Sequence, residues 1–229
     1  GAIGTPTGKA AALSNFTVSP ISGNLTGVTG SNPLTFSVKP SNKNTAASFY
    51  IGADLPITAS NSAGAFGPAT SQFYVYAGVS NPTTGATVTA SASTYRGVSV
   101  SGTTLSFGGV VRPNVGSATV TLDPATNQRT ISGSSGISAG VSRATFTISG
   151  ENSMAITVTQ DSAMTMTRTG GGTIAVNLTH TAFPTTIGTG GSTGTEGTST
   201  FHTGGSFMVS SGTPVGAYSG AYSTTVSYN

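Results

Sequence analysis

Apolar and polar residues alternate along this chain in short runs, and no stretch repeats them at the three-to-four-residue spacing of a helix. Residues 13–18 read LSNFTV, 34–38 LTFSV, 48–51 SFYI, 73–76 FYVY and 87–92 TVTASA. The same pattern returns at 98–100, 105–107, 118–122, 144–150, 155–159, 164–167, 174–178 and 207–209. The chain closes on Tyr222, Thr224, Val226 and Tyr228 alternating with Ser223, Thr225 and Ser227. Period two with β-branched and aromatic residues predicts strands that each bury one face. Residues 144–150 and 155–159 are expected to pair with each other as neighbours. Gly or Pro breaks nearly every longer window, and strands at this spacing with Gly-rich turns predict an all-β protein of β-sandwich type.

Turn chemistry suggests the divisions. The cluster Ser80-Asn81-Pro82-Thr83-Thr84-Gly85 is expected to mark a domain boundary. That gives an N-terminal extension at 1–20, a smaller β domain at 21–83 and a larger one at 84–229. Asp123-Pro124-Ala125-Thr126-Asn127 carries a turn's residues in a turn's order. Residues 186–200, TIGTGGSTGTEGTST, read as a mobile low-complexity loop.

Composition narrows the classes. Thr (41), Ser (33) and Gly (33) make up 107 of 229 residues, and charged residues are only 6%. A disordered chain of low hydrophobicity normally carries high net charge. Here the net charge is +3, so hydroxyl-rich outer faces on strands are the better reading. The basic residues Lys9, Lys39, Lys43, Arg96, Arg112, Arg129, Arg143 and Arg168 are scattered, which argues against a nucleic-acid partner. No run approaches the roughly 20 apolar residues of a membrane helix. There is no cysteine, so stiffness must come from something other than disulfides. A chain that starts at Gly1 fits an exported protein whose signal peptide has been removed.

Candidate chemistry is sparse, and the chain is expected not to be an enzyme. His180 and His202 lie among Thr and Gly with no acid at a useful spacing. The acids Asp54, Asp123, Glu151, Asp161 and Glu196 are isolated from one another. Glu151 and Asp161 are near enough to meet across a hairpin, but a carboxylate-pair hydrolase also needs sugar-stacking aromatics, and Trp is absent. No His/Cys cluster offers a zinc site, and Asp54 or Asp161 with main-chain carbonyls is the nearest approach to calcium ligation. No cofactor motif is present. Tyr74, Tyr76, Tyr218, Tyr222 and Tyr228 fit either a glycan-stacking surface or, more ordinarily, half-buried strand positions.

Five segments in order carry a resemblance: LSFGGVV at 105–111, GSATVTLDPATNQRTISG at 116–133, ATFTISGE at 144–151, GGSFMV at 204–209 and GTPVGAYSGAYSTTVSYN at 212–229. From about residue 84 the chain resembles a bacterial family of secreted β domains of unknown function (number 4402). That family is similar to pilin and spore-coat-like filament subunits. The resemblance implies an immunoglobulin-like β-sandwich lacking its last strand, completed by a strand donated from a neighbouring subunit. The paired cysteines of chaperone–usher pilins are missing here, which leaves the assembly machinery open. An ending inside a strand pattern agrees with a missing final strand.

The implied function is a structural subunit of an extracellular, pilus- or fimbria-like bacterial filament, serving biofilm formation, attachment or a coat. Its partner would be itself, head to tail, with a periplasmic chaperone and an outer-membrane assembly protein as further expected partners. The alternative is a monomeric surface adhesin or glycan-binding module. The candidate donor strand is residues 12–18, with Ala12, Leu13, Phe16 and Val18; the candidate groove or subunit interface is Tyr218, Tyr222, Val226 and Tyr228. Residues 12–18 equally fit a strand paired within their own domain.

Overall fold

A computed structural model describes residues 11–56, 67–77, 84–188, 190–191 and 194–229. Among them every regular element is a strand; none is a helix. The strands fall into several sheets, consistent with a β-sandwich. The chain divides into two units, Gly1–Tyr95 and Arg96–Asn229. The turn at 80–85 lies outside the described residues as far as Thr83, as does the segment preceding Ala11.

Among the described residues the first unit holds six strands, paired in twos. These are β1 (Ser14–Ser22) with β4 (Ser48–Asp54), β2 (Asn24–Thr29) with β3 (Thr35–Lys39), and β5 (Gly67–Ala77) with β6 (Thr84–Thr94), all antiparallel. Phe36 and Phe49 meet edge to face, with ring centroids 4.9 Å apart. Of the side chains described in this unit, Leu13 alone is buried.

The second unit is built on two long antiparallel ribbons. In the first, β7 (Ser99–Gly102) and β8 (Ser106–Val110) run along β12 (Ala144–Glu151) and β11 (Gly136–Ser142). The register is continuous from Ser99↔Ser149 to Ser106↔Ser142 and Phe107↔Val141, then slips before Gly109↔Ile137. Arg129 fills the irregularity, donating from Nη1 to Phe107 O at 2.6 Å and Gly109 O at 3.0 Å. In the second ribbon, β13 (Ile156–Gln160) and β14 (Ala163–Arg168) run along β18 (Thr224–Tyr228) and β17 (Tyr218–Ser219).

The fifteen-residue β16 (Glu196–Ser210) ties these together. Its first half pairs with β12; its second lies between β15 (Thr173–His180) and β9 (Ser117–Leu122). β10 (Arg129–Ser132) extends this sheet beyond β9, and β15 pairs with β14. Gly204 and Gly205 mark the changeover. A Cβ on Gly204 would strike Leu122 O, and one on Gly205 would lie 2.5 Å from Asn177 O, so only glycine lets the flanking backbones approach.

Two core clusters result. The first gathers Phe107, Val120, Leu122, Met166, Ile174, Val176, Leu178, Phe207 and Val209. The second gathers Ile148, Ile156, Val158, Ile187 and Phe201, with Val98, Val100, Phe146, Phe183, Val226 and Tyr228 packed against it.

Two sequence expectations need correction. β12 and β13 are adjacent in the chain but do not pair: β12 bonds β16 and β7, while β13 bonds β18. The turn between them carries the chain from one ribbon to the other. Residues 196–200, read as loop from their Gly and Thr, open β16; Gly197 and Phe201 are buried while Glu196 is exposed, so the strand period holds beneath the low complexity. Thr189, Ser192 and Thr193 of that stretch lie outside the described residues. The Asp123 turn forms as read: Asn127 N donates to Asp123 O at 3.0 Å and Ala125 N to the Asp123 carboxylate at 2.8 Å.

Candidate functional site

The two ribbons each leave one long edge without a partner. Among the described residues, β7 and β8 pair only with β12 and β11, and β17 and β18 only with β14 and β13. Alternation within the ladders shows which groups are left over. Asp161 N donates to Ser223 O and Asn229 N to Ala155 O, both at 3.1 Å. Antiparallel pairs alternate in the direction of their bonds, so Thr225 and Ser227 also face β13. Thr224 and Val226 therefore turn their N–H and C=O toward the open side. On β7, Thr103 N donates to Thr145 O at 3.0 Å, so Ser101 faces β12 while Val100 and Gly102 face outward.

The two open edges run past one another along the same core. Val98 and Val100 from one and Val226 and Tyr228 from the other cover the second cluster. Farther along, β8 and residues 213–218 border a cavity of about 640 Å³, floored by Met166, Ile174, Phe207 and Val209. Among the described residues, Arg112 is the one charged side chain lining it. Both ends are bridged. At one, Arg112 Nη1 donates to Thr213 O at 3.4 Å. At the other, the Tyr228 hydroxyl donates to Arg96 O at 2.8 Å and accepts from Glu151 N at 2.8 Å. Glu151 is fully buried, its carboxylate 3.8 Å from Arg96 Nε and within reach of Arg96 N and Gly194 N. The result is a slot with β-edges for walls and an apolar floor.

The family comparison falls on this slot. The sequence profile of the family described as domain of unknown function DUF4402 matches residues 98–228, more than half of the chain. The chain belongs to the DUF4402 family. The match runs from the residue before β7 to the last residue of β18, so every element of the slot lies inside the DUF4402 domain. No curated protein and no solved structure matches the chain.

Of the four residues expected at a groove, Val226 and Tyr228 lie on the second cluster, while Tyr218 and Tyr222 pack against the first. Tyr218 donates to Pro214 O at 2.7 Å beside the cavity. Tyr222 meets Phe146 edge to face at 6.1 Å, and burial raises its hydroxyl pKa above the usual 10.0. The side chains of Tyr74 and Tyr76 lie outside the described residues.

The four donor-strand candidates sit in the first unit. Leu13 is buried, Phe16 and Val18 are half-buried and Ala12 is exposed. The strand period slips at Asn15, which has φ of 50° beside a register shift in β1, so Leu13 rather than Ala12 joins the inward face of Phe16 and Val18.

The titratable residues have separate structural partners. Asp161 accepts from Ser223 N at 2.7 Å, Asp54 from Asn15 Nδ2 at 2.7 Å, and Glu151 is held as above. His180 stacks on Phe183 at 3.7 Å, and His202 Nδ1 lies 3.1 Å from Thr145 Oγ1. Among the described residues no three His, Cys, Asp or Glu gather around a common point. The Arg96–Glu151–Tyr228 network was not legible beforehand. Its one sequence signal is a Glu closing the apolar run ATFTISGE.

Proposed function

We propose that this chain is a structural subunit of an extracellular bacterial filament, pilus- or fimbria-like, polymerised head to tail by donor-strand exchange. In this reading the second unit is an immunoglobulin-like sandwich short of one strand, and the N-terminal segment of the next subunit fills the slot. The observation that carries it is the pair of edges, β7–β8 and β17–β18, left without a strand partner among the described residues and flanking a cavity with an apolar floor.

An inserted strand answers both needs. A buried backbone group left without a partner costs about 1–3 kcal/mol, and each large apolar side chain placed in the slot contributes roughly 1.5–3 kcal/mol. Strand addition supplies both at once. Because donor and slot lie on different parts of the chain, the contact is heterologous and propagates. Residues 12–18 suit the donor role. Among the described residues β1 is an edge strand: it pairs with β4 in a register that slips twice, and Phe16 N donates to Ser31 O at 3.0 Å. A filament made this way draws its durability from interleaved strands, which a chain without cysteine requires. Before assembly the open slot needs protection, the role of a periplasmic chaperone, with an outer-membrane assembly protein to pass subunits on.

Electron microscopy of the native protein tests this. Uniform thin filaments are expected, lost on deletion of residues 1–18. Isolated particles from the intact chain would refute it and turn attention to glycan binding.

A further inference from the structure

The slot's two ends differ, and the difference concerns how far an occupant can enter. At the cavity end the bridge is one bond of 3.4 Å from the flexible, exposed Arg112. A bond of that length from a mobile side chain gives way easily. At the other end, both main-chain polar groups of Arg96 are already engaged by side chains. Its N–H reaches the Glu151 carboxylate at 3.4 Å, and its carbonyl accepts from the Tyr228 hydroxyl at 2.8 Å. Arg96 stands three residues ahead of β7, where the open edge begins. A strand pairing along that edge finds outward-facing backbone groups at Val100 and Gly102, then meets the Arg96 carbonyl, already held by the Tyr228 hydroxyl at 2.8 Å. The ring of Tyr228 is packed on the second cluster, and a Cβ on Gly150 would lie only 2.5 Å from its hydroxyl oxygen, so the tyrosine has no room to retreat inward.

We propose that Tyr228 is the stop that closes this end of the slot and fixes the register of the strand entering it; this rests on the donor-strand reading above. The occupant is the N-terminal segment of a second copy. The slot's walls suit a strand, and among the described residues the cavity at its Arg112 end is lined by apolar and neutral side chains apart from Arg112. Between Lys9 and Lys39 this chain has no charged residue. In a straight strand Ala12, Phe16 and Val18 share a face, placing one aromatic and one branched side chain toward the floor. Register matters because a slip of one residue turns that face outward.

The absence of native cysteine allows a direct test. Ser101→Cys places a thiol on the exposed face of β7. It is combined, in the full chain, with Asn15→Cys, Thr17→Cys or Ser19→Cys, each exposed on β1. Oxidation followed by non-reducing electrophoresis reads which pair links copies into a ladder. One of the three pairs is expected to dominate. Adding Tyr228→Phe, which removes the bond to Arg96 while keeping the ring, should shift the dominant pair by about two residues, the side-chain repeat of a strand, or spread linkage over neighbouring pairs. Gly150→Ala, which displaces the hydroxyl from within, should do the same. An unchanged dominant pair in both variants overturns the stop and leaves donor exchange standing. No ladder from any pair overturns donation by residues 12–18, and the stop with it.

Discussion

The two units use the same alphabet and reach different ends. In the first, six strands pair in twos and a single described side chain, Leu13, is buried. In the second, strands paired on both edges stack around two clusters, with Val120, Leu122, Ile148, Val176 and Ile187 wholly removed from solvent. Alternation of Thr and Val serves both, so alternation does not separate them. What separates them is long-range pairing. β16 joins β15, β12 and β9 across separations that run from 23 residues (His180–Thr203) to 93 (Ser117–Ser210), and such a strand turns local ribbons into an enclosed core. Among the described residues the second unit's two ribbons nevertheless leave the edges β7–β8 and β17–β18 without a strand partner. Each described strand of the first unit has one strand partner and one open edge. Edges recruit strands, and the donor-strand proposal draws on the open edges that both units show.

The widest contrast should appear on truncating one aromatic in each half. Phe201 is 1% exposed, stacks on Phe146 at 4.9 Å and meets Phe183 edge to face at 5.1 Å. Phe201→Ala is expected to cost about 3–5 kcal/mol. Phe36→Ala removes one half-buried ring from one edge-to-face pair, and should cost about 1 kcal/mol. Urea unfolding followed by circular dichroism measures both. Equal losses would mean that the first unit has a core of its own and would erase the distinction.

A similar contrast holds for charge. Arg96→Ala leaves the fully buried Glu151 carboxylate without its cation, at a cost of about 3 kcal/mol. Asn15→Ala takes one exposed hydrogen bond from Asp54 and places Ala at a φ of 50°, and should cost about 1 kcal/mol. If Arg96→Ala proved as mild, the Tyr228 end of the slot would not be the rigid one. Thermal melts of the two variants decide.

Much of the fold was legible where the signal is local. The strands near 13–18, 34–38, 48–51, 118–122 and 174–178, and the Asp123 turn, follow from period two and turn chemistry that neighbouring residues settle among themselves. Four strands gave no such signal, among them β17, which has two residues. β2 contains Gly27 and β11 Gly140, each with φ above 60°, while β10 has four residues. Pairing was the harder matter. β12 and β13 read as a hairpin because they are adjacent, yet each finds its partners elsewhere, and a sequence does not encode distant register except through the faces it buries. The slot shows the same limit. Val226 and Tyr228 were marked by their alternation, but Arg96 and Glu151, which hold Tyr228 in place, lie 132 and 77 residues from it.

The smallest expected effects are in acid, and they sharpen the comparison within the second unit. Burial and then the Arg143 charge hold the His202 imidazole below its ordinary pKa of 6.5. The unfolded chain therefore takes up a proton more readily than the folded one. The stabilisation is complete above about pH 6.5 and is lost as pH falls through the lowered folded value. Asp123 behaves with the same sign but lower on the scale. Hydrogen bonds from Ala125 N and Thr126 Oγ1 keep its carboxyl below 3.8, so its contribution holds above that pH and fades as the acid is protonated. Both effects are small, because a solvent-facing group is screened. Unfolding midpoints measured from pH 8 to pH 3 should decline in two steps. His202→Gln should flatten the upper step alone, and Asp123→Asn, whose amide oxygen can still accept from Ala125 N, the lower step alone. A His202→Gln chain that kept the full upper slope would place the responsible proton on another group, and the half-buried contact between β12 and β16 at Thr145 and His202 would have no part in the acid response of this unit.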